Sequence, residues 1–102
     1  MLTLARGASF YLVNTPAVLM NNAGAGIEAT VNKAAAANDA AFAFKTGFSA
    51  RALIGLLGND DFSFKVSPDG SSFFDAIRID RTSGQVELPQ PTVLPGLSAA
   101  PT

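Results

Sequence analysis

Five aspartates, Asp60, Asp61, Asp69, Asp75 and Asp80, are the residues whose types and spacing could do chemistry in this chain. Glycoside hydrolysis needs an acid and a base or nucleophile roughly 5–10 Å apart across a sugar bond, and these five could be paired on paper. Asn59-Asp60-Asp61 could also begin a calcium site, because hard cations want several clustered oxygens. Neither idea goes far. The chain has no His and no Cys, which removes the usual general base, the usual zinc ligand and every Ser-His or Cys-His nucleophile pair. The acidic turn does not match EF-hand spacing, and no glutamate lies nearby to complete a shell. Most of the aspartates fall in turns or at solvent-facing strand positions, and a chain of 102 residues is too small for a deep subsite cleft. They read as solvated charges, with Asn59 or Asp60 capping backbone amides in a polar turn. No catalytic residue, no metal site and no cofactor is expected, and the chain is read as a non-enzyme.

Aromatic side chains offer a second chemistry, stacking on sugars. Phe42, Phe44, Phe48, Phe62, Phe64, Phe73 and Phe74 could include such a platform. At alternating strand positions they read instead as core, where each buried ring stabilises by about 1.5–3 kcal/mol. Phe73 and Phe74 are adjacent, so a strand would point them to opposite faces, one into the core and the other outward or against a partner chain. Tyr11, Phe73, Phe74 and Asp75 are therefore the candidate glycan or receptor contacts. Phe42, Phe44, Ile54, Phe62, Phe64, Val66, Ile77 and Ile79 are the candidate oligomer core. Arg51, Arg78 and Asp80, on otherwise apolar strands, are candidates for cross-chain ion pairs.

The elements that must position these residues are strands. From Phe42 onward apolar and polar residues alternate in short runs with turn signals about every ten residues. Phe42 and Phe44 lead to Gly47. Arg51 to Leu57, apolar on both faces, ends at Gly58-Asn59-Asp60. Phe62, Phe64 and Val66 oppose Asp61, Ser63 and Lys65. Ser67-Pro68-Asp69-Gly70 is a strong turn, Pro presetting φ and Gly accepting the left-handed conformation. Ile77 and Ile79 alternate with Arg78 and Asp80, and Val86 and Leu88 follow the turn Arg81 to Gly84. Upstream, Phe10 to Val13 and Ala17 to Met20 are expected as short strands broken at Pro16, with helix an alternative for residues 2–13. Ile27, Ala29 and Val31 alternate with Glu28, Thr30 and Asn32, a period-2 strand pattern. Lys33 to Ala41 has helix propensity but is too short for a stable isolated helix, so a loop or single turn is expected. The fold class is all-β: short antiparallel strands in a small sandwich or an interdigitated trimeric fibre or spike module. Residues 1–26 form an N-terminal attachment or assembly segment, 27–88 the β-structured module, and 89–102 a Pro-rich extended tail.

Composition sets the partners. Hydrophobic residues are 48% of the chain and charged ones 15%, against roughly 25% charged in an average domain. So small and apolar a chain exposes apolar surface when alone, which favours burial against copies of itself. The net charge is −1, and the seven Lys and Arg residues are scattered, so no nucleic-acid partner is expected. No run approaches the ~18 consecutive apolar residues of a membrane helix, so membrane insertion is not expected either. The N-terminus lacks a basic region followed by an uninterrupted apolar stretch, which argues against a secretory signal.

Residues 44–89 carry a composite pattern in three parts: Phe44 to Ala52 (FKTGFSARA), Gly55 to Ser71 (GLLGNDDFSFKVSPDGS) and Ala76 to Val86 (AIRIDRTSGQV). Together they resemble a module of tail-fibre and spike proteins of alphaproteobacterial phages, prophages and gene-transfer agents. Leu19 to Ala36 is similar to the segment preceding that module. The resemblance covers about two-thirds of the chain. It implies a virion structural protein, homotrimeric, assembled in the bacterial cytoplasm, joined to other virion proteins at a tail or capsid vertex and contributing to host attachment. A module reading capsule or surface polysaccharide directly is the alternative, and a depolymerase fragment a more distant one.

Overall fold

The structure, a computed structural model, describes residues 11–93. The expected strand start at Phe10 and most of the helix alternative for residues 2–13 lie outside that range, as does the tail from residue 94.

Among the described residues five strands form one open antiparallel sheet in sequential order: β1 (Asp39–Thr46), β2 (Ser49–Leu57), β3 (Phe62–Val66), β4 (Phe74–Ile79) and β5 (Val86–Glu87). The all-β expectation holds, as a single-layer meander. The described residues of one copy make no second sheet, so no sandwich. Each connection is the local solution its residues favour. Gly47 and Phe48 link the paired residues Thr46 and Ser49 with φ of 55° and 64°, the two positive values of a tight hairpin turn. Ser67 Oγ accepts from the amides of Asp69 (3.2 Å) and Gly70 (2.8 Å), and Ser67 N donates to Arg51 O at 2.9 Å. Ser67-Pro68-Asp69-Gly70 is thereby locked to the start of β2. β2, the run read as apolar on both faces, lies between β1 and β3. The register slips by one at Phe44/Lys45 and again at Phe64/Lys65, bulges that raise the local twist.

The N-terminal half differs from expectation. Residues 11–38 contain no strand, so the strands expected at residues 11–13, 17–20 and 27–32 do not form in the single chain. Alternation gives a segment two faces, but a strand also needs a neighbour for its amides and carbonyls. Among the described residues of this stretch the one backbone-to-backbone hydrogen bond is Asn38 N to Ala35 O, at 3.1 Å. Residues 34–38 form bends and a turn, the loop expected there, and β1 begins at Asp39 rather than Phe42.

Lys33 is the anchor of that loop. Its ammonium donates to the carbonyls of Ala36 (2.8 Å), Asn38 (3.1 Å) and Asn59 (2.6 Å) and pairs with Asp60 Oδ1 at 3.0 Å. The side chain is only 8% exposed, so the charge is held by oxygens of two loops rather than by water. Lys33→Met keeps the stem and removes the ammonium. It is expected to cost about 2–3 kcal/mol, the range for charge-assisted hydrogen bonds left without their partner. Amide exchange checks this: Asn38 and Asp61 should lose protection ahead of β2 and β3, and unchanged protection would contradict the anchor.

Candidate functional site

In an antiparallel sheet residues directly opposite each other point to the same side, so the register defines two faces. On one, three rows cross the sheet: Phe42–Ile54–Phe64–Ile77, Phe44–Ala52–Val66–Phe74, and Ala40–Leu56–Phe62–Ile79–Val86. No row contains a polar side chain. All eight candidate oligomer-core residues lie in them. Phe62 and Phe64 meet edge-to-face at 5.5 Å, as i and i+2 neighbours on one side of a strand do. A groove of about 460 Å³ lies over this face, lined by Val31, Ala40, Phe42, Ile54, Leu56 and Phe62, with Ala41 and Gly55 at its floor.

Among the described residues Val31 lines the groove from outside the sheet and Ala40 is buried there, while most of the face stays open. Phe42 and Phe44 are each 58% exposed and Phe74 50%. Among the described residues only Ala40 and Leu57 are buried hydrophobic side chains. The expectation that the phenylalanines form a core is therefore not met within one copy. Their rings line a surface.

The opposite face is divided: over β1 and β2 it carries Ala41, Ala43, Leu53, Gly55 and Leu57, and over β3 to β5 it is polar. Lys65 and Arg78 both reach Asp75, at 3.6 Å and 3.2 Å, and Arg78 continues to Glu87 at 3.3 Å. Half-exposed pairs of this kind contribute only about 0–1 kcal/mol each. Ser63 sits beneath them, almost fully buried, beside Gly55. The three residues named for cross-chain ion pairs all have contacts within one copy. Arg78 is held as above, Arg51 donates to Ser49 Oγ at 2.7 Å and to its neighbour's carbonyl, and Asp80 caps a turn.

The candidate glycan contacts are not brought together. Phe74 opens β4 on the apolar face, whereas Asp75 belongs to the ion-paired face. Phe73 precedes the strand and is half-buried. Tyr11 stands at the start of the described chain, exposed and outside the sheet. The most exposed aromatic among the described residues is Phe48, 94% accessible at the β1–β2 hairpin tip. Grouping it with the strand phenylalanines misplaces it, and the signal is local: Gly47-Phe48 between Thr46 and Ser49 is a two-residue turn. A non-glycine residue at positive φ costs about 1–2 kcal/mol.

Each carboxylate singled out for chemistry has a structural partner. Asp60, Asp61 and Asp80 line a polar hollow of about 510 Å³ together with Ala36, Arg81 and Thr82. Asp60 is on Lys33, Asp61 Oδ1 accepts from Arg81 N at 3.0 Å, and Asn59 Oδ1 caps the Asp61 amide at 2.8 Å. Asp69 Oδ1 accepts the amides of Ser72 (2.9 Å) and Ser71 (2.8 Å). Asp80 Oδ1 does the same for Ser83 (2.9 Å) and Thr82 (2.8 Å). These amides, Ser72 and then Ser71 for Asp69, Ser83 and then Thr82 for Asp80, hold both carboxyls below their usual 3.8. A glycosidase acid needs the opposite shift.

A pH dependence follows from these two caps. A carboxyl whose folded pKa is depressed contributes stability at pH above its unfolded value and loses it as pH falls through the folded value. Stability is therefore expected to fall as pH drops below about 3.8. Asp69→Asn and Asp80→Asn retain the capping oxygen but not the charge, so the double variant should lose less on acidification than the parent. Thermal melts between pH 7 and pH 3 decide it; parallel curves would show that the caps carry no pH-dependent stability.

No protein family, curated protein or solved structure matches this chain.

Proposed function

We propose that this chain is a structural and adhesive module of a fibre or spike on a phage or phage-like particle, assembled from identical copies through its apolar sheet face. The observation that carries the proposal is the set of three polar-free rows, largely exposed among the described residues. A surface of that composition is stable in water when a partner covers it, and copies of the same chain are the commonest partner. The motif pattern of residues 44–89 supports the fibre or spike setting, a trimer as the copy number, a virion location after assembly in the bacterial cytoplasm, and attachment to tail or vertex proteins. Direct reading of host polysaccharide is the weaker alternative, because Phe74 and Asp75 lie on opposite faces of the sheet. Depolymerase activity is weaker still, with the carboxylates committed to caps and ion pairs.

Antibody against the purified chain, applied to particles from a producing host and viewed by electron microscopy, tests the setting. Label at a fibre or spike is the expected result. Particles that carry no label, from cells in which the chain is abundant, would overturn it.

A further inference from the structure

β1 is an open edge. Among the described residues, its eight residues pair only with β2, leaving the outward amides and carbonyls as a template for another strand. The usual protections are sparse: the strand is long, has no proline, and carries charge only at Asp39 and Lys45. Residues 27–32 have the complementary need. They alternate apolar and polar, make no backbone ladder, and leave Ile27 and Val31 exposed. Thr30 Oγ1 donates to Glu28 Oε2 at 2.8 Å, which puts these i and i+2 side chains on one side of the backbone, as in a strand.

We propose that residues 27–32 of one copy add as an antiparallel strand to the β1 edge of a second copy. Charge pairing picks out one antiparallel register among those that match the faces. With Glu28 opposite Lys45, Thr30 falls beside Ala43 and Asn32 beside Ala41 on the face away from the aromatic rows. Ala29 then lies beside Phe44 and Val31 beside Phe42, extending the apolar rows with small side chains against large ones. The parallel alternative moves Glu28 toward Asp39, a like-charge neighbour. The added strand converts the exposed edge into an interior strand and ties neighbouring copies together by main-chain hydrogen bonds. This rests on the self-assembling reading above but names a different surface from the apolar face.

Because the chain has no cysteine, introduced thiols report unambiguously. Full-length copies carrying Thr30→Cys and Ala43→Cys, with tags of different size, are mixed and oxidised. A mixed-tag disulfide dimer is expected, at least tenfold above the yield from Thr30→Cys with Glu87→Cys on the opposite edge. Glu28→Lys or Lys45→Glu alone should each reduce the dimer several-fold, and combining the two, one on each copy, should restore it. Equal yields at the two edges, or no mixed dimer, would overturn the strand addition. Light scattering on the same samples separates the failures: an oligomer without the cross-link removes only this inference, whereas monomers remove the self-assembling reading as well.

Discussion

Gly55→Ala is expected to cost about 3 kcal/mol or more and to abolish the cooperative melt of the sheet. Gly55 lies inside β2 with φ of 145°, a conformation side-chain-bearing residues rarely adopt. A Cβ there would drive into the Ala40 carbonyl oxygen of β1 and come within 2.9 Å of the Ala41 Cα. Both obstacles are backbone of the neighbouring strand, so relief requires β1 and β2 to separate, and backbone strain adds about 1–3 kcal/mol on its own. Gly58→Ala is the control. Its φ is 78° but nothing lies within 4 Å of the added methyl, so only the local strain of about 1–2 kcal/mol is expected. Urea or thermal unfolding of the pair measures the difference. Equal losses would mean that the β1–β2 approach does not depend on this glycine.

Phe64→Lys is the second large effect, and it acts on assembly. Phe64 is the middle of the row Phe42–Ile54–Phe64–Ile77, and a lysine there puts a charge at the centre of the surface that copies are proposed to bury. Disrupting the centre of an interface costs about 2 kcal/mol or more, which is roughly a thirtyfold rise in the dissociation constant. Lys65→Ala, one residue away on the other face, removes only a half-exposed ion pair and should stay within about 1 kcal/mol. Sedimentation over a concentration series would show the two shifts. The reverse order would place the interface on the ion-paired face.

The alternation of Phe62, Phe64 and Val66 against Ser63 and Lys65 is legible in the amino-acid sequence alone, as are the Ser67 to Gly70 turn and the two apolar faces of the run Arg51 to Leu57. Those features are set by neighbours along the chain. What is not legible there depends on neighbours in space. The Ile27 to Asn32 pattern is strand-like, yet none of the described residues of its own chain pairs with it. The bulges at Phe44/Lys45 and Phe64/Lys65 come from the sheet's register, which single-strand periodicity does not contain. Phe48 looks like another core aromatic until the turn chemistry of Gly47 is weighed above its hydrophobicity. Lys33 looks like a surface charge, because the four oxygens that hold it come from residues as distant as Asn59 and Asp60. The apolar surface itself is half legible: the eight residues are identifiable by type and spacing, but only the register shows that they share one face.

The central claim, that copies of this chain assemble through the apolar sheet face, is tested most directly by the mass of the purified full-length protein in solution, measured by light scattering across micromolar concentrations. A discrete oligomer, three times the 10.5 kDa chain mass if the trimer holds, that falls to single chains on Phe64→Lys is the predicted result. A well-folded, non-aggregating monomer at every concentration would contradict it.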